Sequence, residues 1–75
     1  MARVVLEVGK EKLMETLKFI RDVFSGAQIE RIEQIPYGEK KVFHITFRVE
    51  LTVMTIIDTL DFYKKLDLLK LIEGV

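Results

Sequence analysis

Between Lys41 and Leu51 every second position is apolar: Phe43, Ile45, Phe47, Val49 and Leu51 share one side, while Val42, His44, Thr46, Arg48 and Glu50 share the other. A period of two is that of a β-strand with one face turned to a core and the other mostly to water. Such a strand cannot stand alone, so the rest of the chain must supply neighbouring strands and a cover for the apolar row.

Arg3 to Val8 supplies a strand, β-branched and apolar, with Val4, Leu6 and Val8 on one side. Gly9-Lys10 ends it. Glu11 to Ser25 is expected to be helical, because Leu13, Leu17, Ile20 and Phe24 recur at the spacing of one helix face, and Met14 and Val23 widen it. Gly26 is placed to stop that helix in a left-handed conformation. Phe19 lies off the stripe, either tucked along the sheet edge or exposed as a protein contact. Gln28 to Ile35 is read as a strand in which Ile29, Ile32 and Ile35 are spaced by three, which predicts a bulge or an early end. Pro36-Tyr37-Gly38-Glu39 is read as a tight turn.

Thr52 is suited to cap a second helix, whose stripe is Val53, Ile56, Ile57 and Leu60. The stripe fails near Lys64-Lys65. Leu66, Leu69 and Ile72 continue on a rotated face, so residues 66–73 either prolong the helix or include a last strand, Asp67 to Ile72. Leucine and lysine favour helix by propensity. The broken stripe and the sheet's need of a fourth strand favour the strand, which is the reading adopted.

Strand, helix, strand, turn, strand, helix, strand is the split β-α-β arrangement, so the expected class is α+β: a ferredoxin-like βαββαβ domain over residues 1–75, with a four-stranded antiparallel sheet and two helices on one face. The Phe43 row would pack beneath the helices. His44, Thr46 and Arg48 would look outward beside Arg3, Val5 and Glu7.

Composition narrows the function. With 75 residues and no cysteine, the chain forms one domain without disulfides or thiolate metal sites. Its apolar share of 49% is enough for a core, but a chain this short gains from a partner. Twelve basic and twelve acidic residues cancel, which argues against a nucleic-acid partner. No apolar run is long enough for a membrane span, and Glu7 comes too early for a signal peptide's apolar core, so a cytoplasmic protein is expected.

His44 is the only histidine. Without a second histidine or a cysteine it makes no zinc set and, alone, no catalytic constellation, so it reads as a surface residue. Arg48 and Glu50 share its face and read as an exposed ion pair or an interface contact. Asp58 with Asp61, Lys40-Lys41 and Lys64-Lys65 read as solvated charges. The outer row offers Val5, His44 and Thr46 where an RNA-recognition domain of this topology presents stacking aromatics. No cofactor is implied, and no enzyme is expected.

The order of residues resembles the ACT domain. The resemblance rests on Gly26-Ala27-Gln28-Ile29, standing where that family carries glycine-x-Asn-Ile at the start of its second strand, followed by Glu30-Arg31-Ile32. It rests also on the spacing of Leu60 and Leu66, and it runs from Arg3 to Ile72. In the loop Val8-Gly9-Lys10-Glu11-Lys12-Leu13, Lys10 and Glu11 replace the family's proline and glycine. The resemblance implies a non-catalytic regulatory or assembly module, a homodimer, that serves a larger enzyme or binds a small effector such as an amino acid. It places an effector near Gly9, Lys10, Glu11, Ala27 and Gln28. Val5, Phe19, His44 and Arg48 are the candidate interface residues. A protein-interaction domain of the same fold, using its sheet face or a strand edge and no small ligand, is the alternative.

Overall fold

A computed structural model describes residues 1–74. The chain runs β1 (Ala2–Gly9), a 3₁₀ turn (Lys10–Lys12), α1 (Leu13–Val23), β2 (Gln28–Tyr37), β3 (Lys40–Val49), α2 (Val53–Phe62), a second 3₁₀ turn (Leu66–Leu68) and β4 (Leu69–Gly74). The strands form one antiparallel sheet in the order β2-β3-β1-β4, the ferredoxin-like α+β arrangement.

Alternation along the two central strands builds the core. Val4, Leu6, Ile45 and Phe47 are completely buried, and Ala2, Val8 and Val49 nearly so. Ile20 and Phe24 come down on them from the α1 segment, and Ile56 and Leu60 from α2. Burying each of these large side chains is worth about 1.5–3 kcal/mol. Thr16 is the polar residue buried inside α1, and its hydroxyl donates to the Lys12 carbonyl at 2.7 Å, so that hydroxyl is not stranded.

The helix ends are set locally. Thr52 caps α2 by accepting from the Thr55 amide at 3.2 Å. After α1, Gly26 takes φ +82°, as the sequence suggests. After α2 it is Lys64 that turns left-handed, at φ 58°. The Lys65 amide reaches back to the Leu60 carbonyl at 2.8 Å and the Lys64 amide to Asp61 at 3.0 Å, the paired bonds of a Schellman ending. That ending turns the chain into β4, so the strand reading of the C-terminal segment holds, displaced to Leu69–Gly74.

Other boundaries move. The first helix begins as a 3₁₀ turn and is α-helical only over Leu13–Val23. β3 starts at Lys40 and stops at Val49, leaving Glu50 and Leu51 outside. Pro36 and Tyr37 belong to β2 rather than to the turn, which narrows to Gly38 and Glu39 with Gly38 at φ 61°. Proline is tolerated there because β2 is an edge strand. The expected bulge lies between Ile29 and Arg31 and makes Glu30 the extra residue.

Candidate functional site

The sheet face away from the helices carries a polar lattice. Arg3, Val5 and Glu7 of β1 lie across from Arg48, Thr46 and His44 of β3. The bulge in β2 brings Glu30 over this face, where one carboxylate oxygen accepts from Arg3 Nε at 2.9 Å and the other lies 3.7 Å from Arg48 Nε. Arg48 Nη2 also donates to Gln28 Oε1 at 3.2 Å. Arg3, Glu30 and Arg31 close over Thr46, which is 6% exposed despite facing away from the core.

His44 is therefore not solitary. Its Nε2 lies 2.9 Å from Glu7 Oε1, on the neighbouring strand. This hydrogen bond, helped by the charge of Lys70, holds the Glu7 carboxyl below its ordinary range against the opposing effect of desolvation. Arg3 does the same for Glu30, chiefly by its hydrogen bond. Arg48, for its part, pairs with Glu30 and Gln28 rather than with Glu50, which lies beyond the strand end. Among the described residues no group of three His, Cys, Asp or Glu is placed to hold a metal.

The candidate effector residues fall into two groups. Gly9 pairs with Val42, whereas Gln28 pairs with Arg48, six residues further along β3. Gly9-Lys10-Glu11 and Ala27-Gln28 thus sit at opposite ends of the sheet, about 20 Å apart. They form no single pocket within one chain. At the first end, the space beside Gly9 is occupied by the carboxylate of Glu11, whose Oε1 lies 2.9 Å from where a Cβ would be. Lys10 is exposed in the same turn. At the second end, Ala27 is partly buried, its amide bonded to the Phe24 carbonyl at 3.0 Å, and Gln28 is exposed.

This second end holds an open cleft of about 370 Å³, lined among others by Ser25, Gly26, Gln28, Arg48 and Glu50. Its size falls in the range of small-molecule sites. It unites a residue expected to bind an effector, Gln28, with one expected at an interface, Arg48. It also presents both signs of charge. The sequence alone assigns no role to Glu30 or Glu7. The three-residue spacing around the bulge was the available signal for Glu30, and Glu7 becomes visible only through the β1–β3 register.

The remaining interface candidates are dispersed. Val5 is half-buried on the open face, beside Leu71 of β4, which is 50% exposed. Phe19 lies on the helical side, packed edge-on against Phe24 and Tyr63 at 6.0 and 5.5 Å with Lys65 Nζ 5.3 Å from its ring centre. It packs α1 against the residues that follow α2. The edge of the sheet beside α1 belongs to Ile29 and Ile32, which are 43% and 45% exposed and form an apolar groove with Leu17, Ile20 and Ala27.

The class that this geometry defines is a small ferredoxin-like α+β domain with an open polar sheet face, a mixed-charge cleft and an uncovered edge. No family model, curated protein or solved structure matches the chain.

Proposed function

We propose that this protein is a non-catalytic regulatory and assembly module resembling ACT domains, acting as a homodimer in the cytoplasm and binding a small zwitterion such as an amino acid in the cleft beside Gln28. The observation that carries the reading is the cleft itself. Arg48 offers a planar guanidinium suited to a carboxylate, Glu50 a carboxylate suited to an ammonium, and Gln28 an amide able to serve either. Together they match the carboxylate and the ammonium of a zwitterion, which a neutral sugar lacks. A cysteine-free chain suits a reducing compartment.

Isothermal calorimetry against the amino acids one at a time tests the effector. Binding is expected for at least one, and Arg48→Met is expected to abolish it while the circular dichroism of the fold stays unchanged. A screen with no heat for any amino acid removes the effector and leaves the assembly role. One observation favours a second reading, a protein-interaction domain without a small ligand: Ile29 and Ile32 stand exposed along the free edge of β2.

A further inference from the structure

The sheet has two free edges, and they are unlike. β4 is six residues long, and a register shift interrupts its pairing with β1. Its helix-side residues Leu69 and Ile72 are packed against the core. β2 is ten residues long, and of these only Ile35 is even partly buried. Its helix-side residues Ile29 and Ile32 keep nearly half their surface in water beside a groove of about 360 Å³ formed with Leu17, Ile20, Arg21 and Ala27. A row of unpaired backbone donors and acceptors flanked by exposed isoleucines is a template for another strand.

The side chains of β2 say which strand. We infer that a second copy of this chain docks antiparallel along β2, with Ile32 opposite the partner's Ile32 across a two-fold axis. In that register Arg31 faces the partner's Glu33 and Glu33 faces the partner's Arg31. Both residues are exposed, and within one chain they pair with each other, Arg31 Nε lying 3.1 Å from Glu33 Oε1. Pairing exchanges one internal contact per chain for two across the interface and brings the isoleucines together on the helix side.

The neighbouring registers are disfavoured by the same residues. A shift that centres the axis on Glu33 sets two carboxylates opposite each other, and one that centres it on Arg31 sets two guanidinium groups opposite each other. A slip of one residue puts the helix side of one strand against the open side of the other. The bulge after Ile29 and the imide of Pro36 bound the flat stretch that can pair. Because the contact is isologous it closes at two copies and does not propagate through this edge. This inference rests on the assembly reading above and gives it a partner, an edge and a register.

The chain has no cysteine, so single-cysteine variants report on the register without interference. Residues directly opposite lie about 5 Å apart, within disulfide reach, whereas Glu33 and the partner's Glu33 would be beyond about 7 Å. Under mild oxidation Ile32→Cys is expected to link to itself quickly and Glu33→Cys slowly. An equal mixture of Arg31→Cys and Glu33→Cys should give mainly the mixed dimer. In light scattering across a dilution series, Arg31→Glu and Glu33→Arg are each expected to weaken the dimer about tenfold, and the double variant Arg31→Glu/Glu33→Arg to restore it. A dimer whose Ile32→Cys form links no faster than Glu33→Cys, and which ignores the charge reversals, overturns the edge while the assembly reading stands. A wild-type monomer at every concentration overturns both.

Discussion

Leu6 and Glu7 are neighbours on one strand and differ in almost everything else. Leu6 points to the helices and is completely buried, held by packing against the opposite side of the fold. Glu7 points the other way, is part-exposed, and is held by one hydrogen bond to His44. The same contrast repeats on β3 between Phe47, in contact with Phe24 at a ring separation of 5.4 Å, and Arg48, engaged by Glu30 and Gln28. One face of the sheet holds the domain together by area removed from water. The other is organised by register, and its contacts are individually weak because solvent screens them. The strand's period of two thus keeps the stabilising burial on one face, so the open face and the β2 edge are free to vary without dismantling the core.

The harshest way to break this division is to exchange Leu6 and Glu7, which leaves composition and charge untouched. A carboxylate would then enter the sealed core, a loss above about 4 kcal/mol, and the chain is expected to be unfolded by circular dichroism at room temperature. Next comes the paired comparison of Phe47→Ala with Val5→Thr. The first is expected to cost about 3–5 kcal/mol in urea denaturation and the second within about 0.5 kcal/mol, since one empties the core and the other alters a half-exposed position on the open face. The smallest effect is on acid stability. The folded-state carboxyl of Glu30 titrates below its ordinary value of 4.5, so its contribution is present above that pH and is lost as the pH falls through the lowered folded value. Replacing Arg3 by Met removes the first cause of the depression. The Glu30 carboxyl midpoint, followed by NMR, is expected to rise toward its ordinary range, with the acid limb of the stability curve flattened slightly. An unmoved midpoint would mean that Arg3 does not reach Glu30 in solution.

Much of the architecture was legible because it is written in local periods. The alternation in β1 and β3, the stripe of α1, Gly26 and the Thr52 cap each act within a few residues. The unevenly spaced isoleucines point to a bulge or an early end, and the bulge is what forms. The end of α2 was harder to read, since a lysine at 64 occupies the left-handed position where glycine is usual. Lys64→Gly is expected to stabilise the domain by up to about 1 kcal/mol, measured by urea denaturation, because it relieves that strain at some expense in unfolded-chain entropy. The candidate site was less legible than the fold. In the sequence His44 reads as unpartnered because Glu7 lies 37 positions away, and Arg48 reads with Glu50, whereas its carboxylate is Glu30.

By itself, then, the sequence determined the alternating strands, the helix faces and hence the layered α+β arrangement, because each depends on which side of a strand or helix a residue occupies. Only the tertiary structure decided which charges meet on the open face, that the two candidate effector segments stand at opposite ends of the sheet, and that Ile29 and Ile32 remain uncovered while their neighbours on β3 are sealed. Those outcomes depend on strand order and register, which bring together residues tens of positions apart and leave one strand at the edge with a neighbour on one side alone.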